Sequence, residues 1–451
     1  MQNTIKIRLI PALLALAFSG AASASGFQLI GEQNASGLGN AGAGSAAVAE
    51  NASTIFYNPA GMTQLQAREV SLGGTLVKTN FEFSNSGSST GALSGDGGNG
   101  GSLGFVPNAY MSFAITKDLY IGLGLGAPFG LKTEYDDNWR GAAQSVSFDI
   151  KTINLNPSIA WRANDFVSLG FGLNWQRVEA EYIRKVSVVN APAGALGPGR
   201  PAMNFSGATA TLKLSDDSWG WNAGALFNLG PATKLGVSYR SAVKYETTGD
   251  VGVSGNGTTA GNTAATVLNA GGASSDTKAS IKMPDTFIFS ATHNIVNQWE
   301  LLGDVSWTGW SSIPKVDIIR ASGVLNGQVA QVLDTDFRDT WRFAVGTTYT
   351  MNDAWKLKLG VAYDQTPVKN PEHRLTSLPD NNRTWFSAGA QWKPSKTMAI
   401  DVGGAYLYLK DAEINNDQRS AATSPTTNRG LVKGTYSDSA WLLGAQFSMA
   451  F

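Results

Sequence analysis

From about Glu69 to Phe451 the chain alternates with a period of two, and no other feature constrains its fold as strongly. In Trp341-Arg342-Phe343-Ala344-Val345-Gly346-Thr347-Thr348-Tyr349 the odd positions are mostly large and apolar, while the even ones are Arg, Ala, Gly and Thr. Trp355 to Asp364 repeats the split: Trp355, Leu357, Leu359, Val361 and Tyr363 alternate with Lys356, Lys358, Gly360, Ala362 and Asp364. Successive side chains of a strand point to opposite faces, so each segment carries one apolar face.

The connections are as regular as the strands. Short turns fall near residues 116–118, 163–165, 229–231, 294–297, 351–353 and 393–395. Long polar, Gly/Ser/Ala-rich loops fall near 85–103, 131–143, 189–213, 254–278, 314–336, 366–382 and 413–433. Six turns and seven loops make thirteen connections, which join fourteen strands. An even count, alternating short and long connections, and segments of the length of a tilted spanning strand predict a 14-stranded antiparallel transmembrane β-barrel. A soluble all-β protein would alternate too, but it has no reason to gather every long loop at one end.

The ends of the chain agree. Lys6 and Arg8, an apolar run from Leu9 to Phe18 and Ala22-Ser23-Ala24 form a secretory signal peptide over residues 1–24, which leaves Ser25 as the mature start. No later stretch reaches the ~18 consecutive apolar residues of a spanning helix. The exported chain has no cysteine, so backbone pairing and burial alone hold it together. Lys+Arg and Asp+Glu both total 34, which removes nucleic acid as a partner. The last strand puts Trp441, Leu443, Ala445, Phe447, Met449 and Phe451 on one face. Ending in Phe451, it resembles the signal read by the outer-membrane assembly machinery of Gram-negative bacteria. Trp and Tyr residues near strand ends then read as interfacial girdles in contact with outer-membrane lipids.

Residues 25–66 do not alternate. Gly37-Leu38-Gly39-Asn40-Ala41-Gly42 matches a dinucleotide fingerprint, but it follows no strand and opens no long helix, so it reads as tight packing. A segment of about 40 residues cannot build its own core, and a barrel of this size leaves a lumen. The expectation is therefore a plug, with short helical turns over Ala43 to Ala52 and a type I turn at Asn58-Pro59-Ala60-Gly61 near its end. The barrel itself occupies 67–451.

In the third strand, Leu119, Ile121, Leu123, Leu125, Ala127 and Phe129 take the lipid-facing parity, and Tyr120, Gly122, Gly124, Gly126, Pro128 and Gly130 face the lumen. Four glycines vacate volume and Pro128 lacks a ladder N–H, so a kink and a gap in the wall are expected across Gly126-Ala127-Pro128-Phe129-Gly130. The competing reading is a bulge that only curves the barrel.

Ser25-Gly26-Phe27-Gln28-Leu29, Ser36-Gly37-Leu38-Gly39 and Asn58-Pro59-Ala60 together resemble the N-terminal hatch of the FadL family, outer-membrane transporters of long-chain fatty acids. Val106-Pro107-Asn108, Trp219 to Gly224, Tyr239-Arg240-Ser241, Trp307 to Ser311, Asp339 to Arg342 and Leu378-Pro379-Asp380 extend the resemblance over the whole mature chain. It implies that the kinked third strand opens sideways, that Arg184 holds the ligand head group, and that Phe27 of the hatch contacts ligand. A second basic ligand has no clean match: Asp317 occupies the aligned place and Lys315 lies two residues before it. The loops 189–213 and 254–278 correspond to an outer hydrophobic groove. Asn58, Pro59 and Ala60 are expected to form a gate that connects the lumen to the gap.

An apolar path suits such a ligand, because each methylene resists water by about 0.8 kcal/mol and a sixteen-carbon tail by roughly 10 kcal/mol. Arg184 shares parity with Gly170, Gly172, Asn174, Gln176 and Ala180; its alternative role is as partner to a lumen acid such as Glu181 or Asp304. Relatives that carry monoaromatic hydrocarbons such as toluene form the alternative within the family, and a general porin would not need the plug. An outer-membrane hydrolase would need a nucleophile and base, and His293 and His373 stand without a triad context, so no enzyme is expected. No metal and no cofactor is called for, and the chain reads as a monomer.

Overall fold

A computed structural model describes residues 26–420 and 426–451; the signal peptide expected over 1–24 lies outside them. The alternating segments form β1 (Arg68–Asn85), β2 (Leu103–Ala114), β3 (Leu119–Gly126, resumed at Gly130–Glu134) and β4 (Ser147–Arg162). They continue as β5 (Val167–Lys185), β6 (Ala208–Asn228), β7 (Thr233–Arg240, resumed at Val243–Gly255) and β8 (Ser275–Met283, resumed at Thr286–Val296). The remaining staves are β9 (Trp299–Thr308), β10 (Thr340–Thr350), β11 (Trp355–Asp364), β12 (Arg383–Ser395), β13 (Met398–Leu409, extended by Ala412–Asp417) and β14 (Leu431–Ala450). Each pairs antiparallel with its successor, and β14 returns to β1 in a ladder from Glu69↔Ala450 to Asn85↔Gly434. The fourteen staves form a closed barrel, as a sheet that spans a bilayer must, because lipid offers its backbone no water to bond.

The outer face is the apolar face of the alternation. Leu72, Leu76, Leu169, Phe171, Leu173, Phe343, Val345, Leu359 and Leu443 are exposed there. Toward the long loops this band ends in Trp219, Trp341, Tyr408 and Trp441, and toward the short turns in Trp161, Trp299, Trp355 and Trp392. Pairs such as Trp299 with Tyr349 (4.7 Å) and Trp355 with Trp392 (6.1 Å) build the girdle. Three tryptophans depart from that role: Trp139, Trp310 and Trp385 are fully buried inside.

Residues 26–65 lie within the barrel. Two single-turn helices, α1 (Ala35–Leu38) and α2 (Thr54–Tyr57), and a 3-10 helix over Pro59–Gln64 are the regular parts. Asn34 caps α1 by accepting from the Ser36 N–H at 3.0 Å, and Asn58 caps the 3-10 helix by accepting from the Ala60 N–H at 3.1 Å. Of the helical turns expected over Ala43–Ala52 one forms before Asn51, closed by the Ala47 and Val48 N–H groups on Gly44 O at 2.9 Å; the positive φ of Ala41, Gly42, Gly44 and Ala49 stops it from propagating.

This segment has no core of its own, and the barrel's lumen-facing glycines receive it. A Cβ at Gly122 would meet Met62 and Ile55, one at Gly170 the backbone of Pro59 and Ala60, one at Gly224 Asn58, and one at Gly236 the backbone of Ala46. The glycine face of β3 that suggested vacated volume is thus filled by Ile55, Met62 and Gln33.

Candidate functional site

The break in β3 is a bulge with a partner. Gly126 pairs with Asn154 and Gly130 with Lys151, so four steps on β3 oppose three on β4. One extra residue reverses the parity of everything beyond it. Ala127 and Phe129 therefore point inward, only 6% and 4% exposed, and not to lipid as the uninterrupted alternation required. On the β2 side the ladder covers Ala109–Ala114 against Tyr120–Leu125 and stops. Leu103–Asn108 of β2 has no β3 partner among the described residues.

The N-terminal segment takes the place of that ladder. Leu29 N–H donates to Pro128 O at 2.8 Å, and Gly130 N–H donates to Phe27 O at 2.8 Å. Gln33, fully buried, donates from Nε2 to Ala127 O at 2.7 Å and accepts from Ala127 N–H at 3.2 Å. Four hydrogen bonds thus tie the bulge to residues 27–33.

Above the bulge lies an apolar lumen. Phe27 packs on Trp310 edge to face at 4.9 Å and on Phe129 at 5.9 Å, and Phe337 closes on Trp310 at 5.8 Å. Gly26 permits this: its φ is +63°, and a Cβ would lie 2.8 Å from the Trp310 ring. From this aromatic group Leu131, Ile150, Val178, Tyr182, Met283 and Ile318 continue the same buried cluster toward the long loops. Gly26 N–H is held by Asp380 Oδ2 at 3.1 Å, which gives the Leu378-Pro379-Asp380 motif its place.

At the loop end of this cluster guanidiniums gather. Arg184 donates from Nε to Gln331 Oε1 at 2.8 Å and from Nη1 to Lys185 O and Val186 O at 3.0 and 3.1 Å. Arg429 reaches the carbonyl of the adjacent Ala330 at 3.5 Å and leaves its Nε without a partner. Arg429 and Arg320 are both close enough to Arg184 to repel it. Burial presses against the charged form of Arg429 as well. No carboxylate lies within ion-pair distance of the three among the described residues. The acids considered for Arg184 are engaged elsewhere: Glu181 with Lys213 at 3.3 Å, and Asp304 with the Ser45 and Ser290 hydroxyls at 2.6 and 2.8 Å.

Lys315 is not part of this group. It pairs with Asp317 at 3.0 Å, and both side chains are well exposed. The second cation beside Arg184 is Arg429, at the end of a long loop where no periodicity marks it. Only chain closure brings it next to β5, and an Arg followed by Gly430 carries no sequence signal of its own.

Asn58, Pro59 and Ala60 lie against β5 and β6, on the same side of the barrel as the bulge. Asn58 Nδ2 donates to Ala46 O at 2.7 Å and to Ala225 O at 3.0 Å. They connect to the bulge through Tyr57, whose hydroxyl donates to Ile30 O at 2.6 Å. The floor of the lumen is polar: Lys358, 3% exposed, holds Glu50 at 2.7 Å and Asp401 at 3.3 Å, and a cleft lined by Asn34, Ser36, Asn40, Glu50 and Asn51 surrounds it. In the long loops, Ala264 and Ala265 of a twelve-residue helix, α3 (Thr259–Ala270), are buried, and Val267, Leu196 and Val324 stand exposed.

A closed fourteen-stranded barrel with an apolar belt, a filled lumen and no spanning helix among its described residues defines an outer-membrane transport protein of the plugged type. Residues 15–451 match the family model described as outer membrane protein transport protein (OMPP1/FadL/TodX), and the chain belongs to that family and to the Gram-negative outer membrane. It is 30% identical to the long-chain fatty acid transport protein of Escherichia coli O6:H1 over the full length of both chains. It is 30% identical to outer membrane protein P1 of Haemophilus influenzae over 91% of this chain and 93% of that one. Among solved structures, a Pseudomonas aeruginosa FadL homologue superimposes with a TM-score of 0.82 at 22% identity, covering 94% of this chain and 99% of that one. The Ralstonia pickettii toluene transporter TbuX gives 0.64 at 16% identity, over 92% and 98%.

Proposed function

We propose that this protein takes up long-chain fatty acids by spontaneous diffusion along an apolar path. In this reading residues 25–66 act as a hatch within the barrel of residues 67–451, the ligand binds in the upper lumen, and it leaves sideways at the bulge of β3. The observation that carries the reading is the gathering of Arg184, Arg429 and Arg320, without an acid, above the apolar cluster that ends at Phe27 and Phe129. Buried cations without a counter-ion are costly, and a carboxylate head group relieves that cost through charge-assisted hydrogen bonds.

Ligand lands on the exposed apolar residues of the long loops, Leu196, Val267 and Val324, and passes its carboxylate to the guanidiniums. The tail then competes with Phe27 for Trp310 and Phe129. When Phe27 withdraws, Gly130 loses its acceptor and Leu29 leaves Pro128, which releases the bulge beside the unpaired stretch of β2. The Ile30–Tyr57 bond transmits that shift to Asn58-Pro59-Ala60, which acts as the gate. A polar floor turns an acyl chain away from the axial route, so the lateral one is favoured. The protein performs no catalysis, is recognised through its C-terminal strand at Phe451 by the assembly machinery, and works as a monomer.

Oleate binding to Arg184→Ala and Arg429→Ala tests the head-group assignment. Each loses a charge-assisted contact worth ~1.5–3 kcal/mol, or roughly 10- to 150-fold in Kd, while binding of an uncharged alkane stays within about twofold. Equal loss for both ligands refutes it. The toluene transporter among the solved relatives favours a second reading, uptake of uncharged hydrocarbons, which needs no guanidinium. Growth of a deletion strain on oleate against toluene decides between them.

A further inference from the structure

The lipid-facing wall is not uniform. Where β12, β13, β14 and β1 run side by side, Leu76, Leu443, Gly404 and Ala388 form one row around the barrel. The row above it, toward the long loops, is Lys78, Trp441, Tyr406 and Phe386. Gly404 and Ala388 leave a depression walled by the larger side chains, and the nearest atom to a Cβ at Gly404 would be Leu442 O, 3.6 Å away. Its roof is aromatic, with Tyr406 and Trp441 at 4.6 Å.

Lys78 stands at the upper edge of this depression. It is the first charged residue above the apolar belt on β1, it is exposed, and no carboxylate lies within ion-pair distance of it among the described residues. An acyl-sized groove at membrane depth beneath one unpaired cation at the outer interface is complementary to a single molecule: an acyl chain with a phosphate at its head. The loop end of such a barrel faces the cell exterior, so the molecule belongs to the outer leaflet. We propose that this groove binds one phosphorylated lipid of the outer leaflet, its acyl chain over Gly404 and Ala388 and its phosphate on Lys78. The site is separate from the lumen and independent of the transported ligand.

The test is native mass spectrometry of the detergent-solubilised full chain with bisphosphorylated lipid A and with the same lipid stripped of phosphate. The native chain retains the phosphorylated form preferentially. Lys78→Gln weakens it about fivefold, the contribution of one lysine at a membrane surface, and leaves the phosphate-free form unchanged. Gly404→Phe, which fills the groove, removes both; Ala388→Phe does the same and stands in if the first variant fails to show the heat-dependent gel shift of a folded barrel. Oleate uptake persists in all folded variants. Unchanged retention in a folded groove-filling variant, or equal weakening of both lipids by Lys78→Gln, overturns the proposal.

Discussion

Replacing Gln33 with Leu removes the side chain that stitches the bulge of β3 to the N-terminal segment. Its two hydrogen bonds to Ala127 serve a backbone N–H and a backbone C=O that are buried with it, and a third, at 2.9 Å, holds Leu29 O. Leucine has similar volume but satisfies none of them. Each buried backbone group left unpaired costs ~1–3 kcal/mol, so the two at Ala127 destabilise the closed wall by about 2–6 kcal/mol relative to an open state in which they are solvated. With ~1.4 kcal/mol per tenfold, the open population rises at least 20-fold until it saturates. The chain has no cysteine, so Ala127→Cys gives a single reporter for a membrane-soluble maleimide. Labelling is slow in the otherwise native chain and faster by about that factor when Gln33→Leu is added. Gly126→Ala acts in the same direction, since its Cβ runs into Gln33 Oε1. An unchanged labelling rate in a folded Gln33→Leu barrel refutes the reasoning; the Phe129 N–H bond to Thr152 Oγ1 on β4, at 2.9 Å, would then suffice to hold the bulge.

Other perturbations probe the remaining contacts. Lys358→Met leaves Glu50 and Asp401 facing each other without a cation, which costs ~3–5 kcal/mol and lowers the temperature of the heat-dependent gel shift; adding Asp401→Asn recovers part of it. Asn58→Ala removes the cap of the 3-10 helix and two bonds to wall and segment; oleate uptake changes while equilibrium binding stays within about twofold. Gly170→Leu drives a side chain into the Pro59–Ala60 backbone, so limited proteolysis cuts residues 26–66 that are protected in the native chain. Acidifying below the carboxyl pKa of the ligand reduces oleate binding to the level of Arg184→Ala and leaves that variant unaffected.

Much of the candidate site was visible along the chain, but with its meaning incomplete. The Gly122-Gly124-Gly126 face and Pro128 marked the third strand as irregular. Periodicity could not show that the irregularity is one inserted residue, which turns Phe129 and Leu131 into the lumen and Lys132 out of it. Arg184 was legible because it shares a face with a run of small and polar residues on β5. Its companion Arg429 was not, because it sits in a loop more than two hundred positions away in sequence. Lys315 was preferred for its nearness to an aligned place, and in the structure it pairs with Asp317. Gln33, which holds the bulge, looks like any polar residue of a non-periodic segment.

The sequence by itself determined the barrel: a period of two fixes which face of each strand meets lipid, and the alternation of turns and loops fixes how many staves there are and which end faces outward. Those are local properties, each settled within a dozen residues. Only the tertiary structure decided what the lumen-facing glycines are for. They are sockets for residues 26–66, and which backbone enters which socket depends on closure of β14 onto β1 and on contacts between positions hundreds of residues apart. The same closure places Gln33 against Ala127 and Arg429 beside Arg184, because a face assignment says that a side chain points inward and leaves open what it meets there.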